Sequence, residues 1–298
     1  MGVIFAVLTA LCWALYNLFI RKGGDSVDPG AGYLLTLLLN VFFNLVFAGL
    51  STHSAAAPGL WGILFFVLAG MTTSLLGRSL YFQGVFTVGP SRTSAWKNAA
   101  PVYTLILAAL FLHERITALA VGGVAVTLLG MFGLAREQGK SEAHLVTGLD
   151  ASSRLARFGL LFAFGSGVAF AVGFLLRKAG LNQWPDATWA SAIGAASALV
   201  SWLPFAVAKG EVRRLLSARG PGLRFWILAG LFSSIAQLAS FLALRLLPTT
   251  IAQVISGLEP VFTIALSLLI LGARERINRR LLTAVSVVCV GVALVLPW

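Results

Sequence analysis

Ten long apolar runs, each close to the length of a membrane crossing, follow one another along these 298 residues. They lie near 3–20, 31–50, 60–82, 89–112, 116–135, 156–176, 188–208, 223–244, 249–271 and 281–297. A helix needs about 20 residues, at a rise of 1.5 Å each, to cross roughly 30 Å of hydrocarbon. Backbone polar groups in lipid must be satisfied within the protein, which leaves helices or a closed barrel. The runs are continuous and lack the alternation of barrel strands, so they predict helices. Charged residues make up 11% of the chain and apolar ones 58%, whereas a soluble domain carries about 25% charge. The chain is therefore predicted to be an all-α, multi-pass protein of the plasma membrane, a bacterial or archaeal inner membrane. Trp61, Trp184, Trp189, Trp202, Trp226 and Trp298 fall near run ends, where an amphipathic ring suits the membrane interface.

The net charge of +12 does not gather into the patch of a nucleic-acid surface. Fifteen Lys and Arg fall in gaps after odd-numbered runs, counting Arg157 and Arg224 at the very start of the run that follows, and four after even-numbered ones, with Arg78, Arg92 and Lys97 deeper inside runs. That bias puts the odd loops in the cytoplasm and both termini outside. Cys12 and Cys289 lie in apolar runs with no metal or redox spacing, and read as small buried hydrophobes. Met1-Gly2-Val3 lacks the basic stretch of a signal peptide, so the first run is expected to be a retained helix.

The two halves repeat one another. Leu18-Phe19-Ile20-Arg21-Lys22-Gly23-Gly24 matches Phe174-Leu175-Leu176-Arg177-Lys178-Ala179-Gly180, and Ala100-Pro101-Val102-Tyr103-Thr104 matches Glu259-Pro260-Val261-Phe262-Thr263. Glu114-Arg115-Ile116 matches Glu275-Arg276-Ile277, and Gly130 matches Gly291. The expected organisation is a five-helix repeat over 1–136, a polar linker over 137–155 and a second five-helix repeat over 156–298. Five crossings is an odd number, so equivalent helices of the two repeats run in opposite directions. This is the inverted-repeat design of secondary transporters, with a binding site near midplane between the repeats.

In these residues the chain resembles the ten-helix EamA-type members of the drug/metabolite transporter superfamily. The marks are the doubled five-helix unit, the Pro-Val-aromatic-Thr segment in the fourth helix of each half, and the acidic-Arg turn after it. The second copy departs from the first, with 15 residues from Pro260 to Glu275 against 13 from Pro101 to Glu114, and Ala273-Arg274 where the family usually has a single Gly. The resemblance implies a carrier that exports or exchanges amino acids, metabolites or drugs. It also implies a cavity lined by the first four helices of each half.

Charges deep in a membrane helix are costly and demand a role. Lys97 is eight residues into its run, about 12 Å deep, and Glu259 is ten residues into its own, about 15 Å. The two runs enter from opposite faces, so both groups are predicted near midplane. They either pair with one another or hold the carboxylate and amine of a zwitterion, and Glu259 is the candidate for a coupling proton. Pro101 and Pro260 free the carbonyls of Lys97 and Ser256 and are expected to kink both helices there. Arg78 adds positive charge, or else snorkels to the interface. Further candidates for substrate contact are Trp13, Asn17, Tyr81, Trp96, Asn98, Tyr103, Gln237 and Ser256, with Tyr16, Asn40, Asn44, Ser240 and Gln253 as other lining groups. Ala118-x-x-x-Gly122 and Gly130 read as close helix contacts.

The predicted function is secondary active transport of a small organic metabolite (an amino acid, organic acid or related solute) by alternating access, as an exporter or exchanger. The alternatives are a phosphorylated-metabolite exchanger and a non-transporting receptor or scaffold. The chain has no Walker, G-x-S-x-G or H-E-x-x-H pattern, so no enzyme, catalytic residue, metal or cofactor is expected beyond a coupling proton. The expected partners are the small-molecule substrate and membrane lipid, with no nucleic acid. The chain is expected to be a monomer or homodimer.

Overall fold

The computed structural model describes residues 1–24, 26–51, 59–114, 117–142, 154–271 and 279–295. Most of the polar linker, Arg115, Arg274, Glu275, Arg276, His53, His144 and Trp298 lie outside them, as do the side chains of Pro90, Ser91 and Arg92.

Every regular element described is helical. In chain order the helices are α1 (Gly2–Gly24), α2 (Pro29–Leu50), α3 (Leu60–Met71), α4 (Arg78–Val88), α5 (Pro90–Asn98), α6 (Ala100–Phe111) and α7 (Ala118–Glu142). They continue with α8 (Arg154–Gln183), α9 (Ala187–Ala208), α10 (Glu211–Ser217), α11 (Gly222–Leu246), α12 (Thr249–Ser256), α13 (Glu259–Leu271) and α14 (Arg279–Val295). A π-helical stretch, Thr72–Gly77, joins α3 to α4 in one helix. Local chemistry sets several ends. The Asp28 carboxylate accepts from Ala31 N at the start of α2, with Pro29 in the first turn. Asp186 caps α9 through Thr188 N and Trp189 N.

Eight stretches among the described residues are long and apolar enough to cross a membrane. Two of the ten runs fall outside that count: 89–112, which forms α5 and α6, and 281–297, where α14 is 17 residues long. Large apolar side chains stay exposed along the helices, among them Phe42, Phe86, Leu129 and Leu269. A water-soluble protein rarely shows such a continuous apolar exterior. The chain is an all-α, multi-pass membrane protein.

Contacts divide the chain into two compact units. The first comprises Met1–Met71, Leu176–Leu247 and Glu259–Ala273, and the second Thr72–Leu175, Pro248–Leu258 and Arg274–Trp298. Each draws on both sequence halves. Within the first, α1 packs on α11, and α2 packs on α9 and α11. Tyr33 meets Trp202 while Asn44 meets Ser191, so α2 and α9 run antiparallel. Within the second unit α7 packs on α14. A Cβ on Gly123 would lie 2.8 Å from Gly291 O, and one on Gly130 2.6 Å from Val288 N, so this pair is antiparallel too. The close contact uses Gly123 and Gly130, whereas Gly122 faces open space. This corrects the expected role of Gly122, which lies about 100° around the helix from its neighbour.

Two other expectations fail on packing grounds. Trp184, Trp202 and Trp226 lie at helix ends but are buried inside the first unit. Trp226 fills the space left by Gly23 and Gly32, and Trp184 packs on Phe66. Cys12 is buried, but Cys289 is exposed. Val288 and Gly291 take the inward face of α14 against α7, which turns Cys289 away.

Candidate functional site

Within the second unit, the break between α5 and α6 organises the candidate residues. Pro101 falls in the first turn of α6 and cannot donate the hydrogen bond that would continue α5. The helix closes instead with Ala99 N donating to Trp96 O at 3.2 Å, and restarts with Val102 N on Ala99 O at 2.9 Å. Lys97 and Asn98 form the last turn of α5, and both are half-buried. The Lys97 ammonium lies 5.7 Å from the Tyr81 ring centroid and 5.5 Å from that of Phe170, within cation–π range. Among the described residues of this unit no carboxylate forms an ion pair with Lys97. Tyr81 Oη and Ser94 Oγ share a hydrogen bond of 3.0 Å. Arg78 follows the π-helical stretch directly and is half-buried. Such local π-helical turns recur at functional sites.

Trp96 and Tyr103 both pack edge-on to Phe164, at 5.8 and 5.2 Å. A Cβ on Gly167 would lie 2.6 Å from Trp96 O and 2.8 Å from the Tyr103 ring, so only glycine fits there. Tyr103 Oη, Thr104 Oγ1 and Gln253 Oε1 are buried with no hydrogen bond among the described residues, on the packed helices α6 and α12. Ser256 spends its hydroxyl on Ala252 O. Past it, α12 ends at Gly257 and Leu258, and Pro260 lies in the first turn of α13.

The start of α12 is held by a residue read from the sequence only as part of a repeated turn. Glu114 Oε1 accepts from both Thr249 N and Thr249 Oγ1 at 2.7 Å, and Oε2 accepts from Thr250 N at 3.4 Å. His113, with φ of 52°, reverses the chain after α6 and aims Glu114 at that helix start. A left-handed residue at a helix end is usually glycine.

In the first unit Glu259 opens α13, and its Oε1 accepts from Asn17 Nδ2 at 2.7 Å. Its other oxygen has no hydrogen bond among the described residues. One turn before Asn17, Trp13 meets Tyr16 edge-on at 5.1 Å. Gln237 donates to Ser191 O, Ser191 Oγ to Asn44 Oδ1, Asn44 Nδ2 to Asn40, and Asn40 Nδ2 to Ser233 Oγ. Asn40 and Asn44 are buried within this chain of bonds. Such polar bonds join membrane helices.

Sequence reasoning passed over Arg177 and Lys178 by ending the sixth run at 176, whereas α8 continues to Gln183. Arg177 lies 5.1 Å from the Phe241 ring, with Nη1 3.5 Å from Ser240 Oγ. Lys178 Nζ donates to Leu244 O and Leu247 O at 2.7 and 2.9 Å, satisfying the end of α11.

A model described as the EamA-like transporter family matches residues 1–136 and 157–296, nearly the whole chain. The chain belongs to the EamA-like transporter family. Among individual proteins it is 36% identical over 154 residues to the uncharacterized transporter YcbK of Bacillus subtilis, covering 47% of this chain and 48% of YcbK. It is 26% identical over 157 residues to the uncharacterized transporter YvbV of Bacillus subtilis, covering 50% and 49%. Protein LicB of Haemophilus influenzae is 25% identical over 141 residues, covering 47% and 48%. The matched stretches span about half the length of these relatives. A crystal structure of another protein superposes with a TM-score of 0.75 at 17% identity, over 98% of this chain and 95% of that one, which shows a shared fold. Among the described residues of this EamA protein, no three His, Cys, Asp or Glu side chains gather as a metal site.

Proposed function

We propose that this EamA protein is a secondary carrier that moves a small organic solute across the inner membrane by alternating access, as an exporter or exchanger. The observation that carries the reading is the family match to both halves of the chain. The finer architecture we propose is ten crossings in two inverted five-helix repeats. The antiparallel run of α2 against α9, and of α7 against α14, supports it, because these are the second and fifth helices of the two repeats. The loop charges favour a cytoplasmic linker and both termini outside.

Lys97, in the second unit, supplies an ammonium to an anionic group of the solute; Glu259, taken by itself in the first unit, carries a coupling proton. Two features support these roles. Among the described residues, Lys97 lies over aromatic rings with no carboxylate partner in its unit, and Glu259 has one oxygen without a hydrogen bond beside Asn17. A phosphorylated substrate is the second reading, favoured by the half-buried Arg78 in the same unit as Lys97. Purified protein in liposomes, screened with labelled amino acids, organic acids and sugar phosphates, tests the proposal. Saturable uptake of one class, lost in Lys97→Ala, is expected. A complete screen with no uptake by folded protein contradicts it.

A further inference from the structure

We propose that the loop end of the first unit binds an anionic phospholipid, with its headgroup held between Lys22 and Arg224. Lys22 lies in the last turn of α1 and Arg224 in the first turn of α11. Glycines let these two helix ends meet. A Cβ on Gly222 would press on Ser26 and lie 3.1 Å from Gly23 O, and one on Gly23 would lie 2.7 Å from the Trp226 ring. The approach brings both cations to one side chain. Lys22 Nζ is 5.6 Å from the Phe225 ring centroid, and Arg224 Cζ is 4.9 Å from it. Among the described residues neither cation has a carboxylate partner. Two like charges around one half-buried ring repel, and an anion between them removes the repulsion.

The rings beside the clamp distinguish lipid from a free anion. Phe225 stacks on Phe19 at 6.3 Å, and Phe19 stacks on Phe232 at 5.6 Å, with interplanar angles of 17° and 16°. All three are half-buried. From Phe225 to Phe232 is two turns of α11, about 10 Å along the membrane-spanning helix. This ladder offers an apolar track for an acyl chain hanging from a headgroup at the clamp.

The surroundings fit a leaflet surface. Lys209, Arg213 and Arg219 are exposed on the connection between α9 and α11. The short helix α10 packs Val212 and Leu215 on the core around Tyr33, Leu34 and Trp202, while Leu216 is 82% exposed. A basic helix with an outward leucine is suited to the headgroup boundary. Arg214 is committed elsewhere, to Asp28 at 3.0 Å, and takes no part in the clamp.

The test uses the full chain purified in detergent, with lipid retention read by native mass spectrometry and by the shift in unfolding temperature. Phosphatidylglycerol, phosphatidylcholine and inorganic phosphate are added separately. Phosphatidylglycerol is expected to bind and stabilise, and Lys22→Gln/Arg224→Gln to weaken that binding about tenfold. Arg279→Gln/Arg280→Gln, which removes the same charge from the second unit, is expected to leave it unchanged. Should the first double variant fail to fold, Arg224→Gln alone carries the test, with an expected loss of a few fold. Equal retention of the two lipids, equal loss in both double variants, or undiminished binding when the clamp charges are removed would overturn the proposal. The same stabilisation by inorganic phosphate alone would overturn the lipid assignment.

Discussion

Glu114 and Thr249 meet at the start of α12 through two hydrogen bonds of 2.7 Å to a single carboxylate oxygen. The contact joins the end of α6 to the first turn of a helix that carries Gln253 and Ser256. A carboxylate there satisfies orphan N–H groups and complements the helix dipole. Loss of a cap costs about 1 kcal/mol. Glu114→Ala is predicted to lower stability by about 1–2 kcal/mol, and Thr249→Val by less, because its N–H bond survives. A double-mutant cycle by thermal unfolding checks the coupling, which two independent losses would contradict.

His113 holds its left-handed φ without the freedom of glycine. That conformation costs a side-chain-bearing residue about 1–2 kcal/mol. His113→Gly is predicted to raise the unfolding temperature, and His113→Val to lower it while loosening the Glu114 contact. Thermal unfolding of the two variants checks this. A stabilising valine would show that the backbone there is not strained.

The α7–α14 seam predicts a contrast between adjacent glycines. A Cβ at Gly123 would press on Val295, whereas one at Gly122 meets nothing within 4 Å. Overpacking typically costs about 1–3 kcal/mol. Gly123→Leu is predicted to lower stability by about that much, and Gly122→Leu to be nearly silent. Unfolding in one detergent compares the pair, and equal effects would contradict the seam.

Helix positions were largely legible because hydropathy is a local property. Ala6, Leu34 and Val288 needed no partner to mark their helices as apolar. The local interruption at Thr72–Gly77 was not legible, since no proline or charge marks those six residues. Glu114 was visible as a repeated acidic turn, but its partner lies 135 residues away and no spacing rule connects them. Arg177 was hidden by its own motif. Arg177-Lys178 repeats Arg21-Lys22, which lies in the last turn of α1, yet α8 continues past it for another five residues. The hydrogen-bonded chain through Asn40, Asn44 and Ser191 was legible as polar residues, not as a network, because three helices supply it.

Glu259 separates charge from hydrogen bonding in a way a single variant can read. Glu259→Gln keeps an acceptor for the Asn17 amide and removes the titratable group. If Glu259 carries the coupling proton, this variant is predicted to lose pH-gradient-driven uptake while retaining solute exchange. Asn17→Ala is predicted to weaken both. Uptake in liposomes with and without an imposed pH gradient checks this, and unchanged gradient dependence in Glu259→Gln would remove the proton role.

Counterflow tests the carrier mechanism most directly, because it needs no energy source. Liposomes holding the protein are loaded with unlabelled solute and diluted into a trace of label. A site open to one side at a time predicts a transient overshoot of internal label, abolished in Lys97→Ala. Label that only equilibrates, or enters at a rate indifferent to the internal solute, would contradict alternating access.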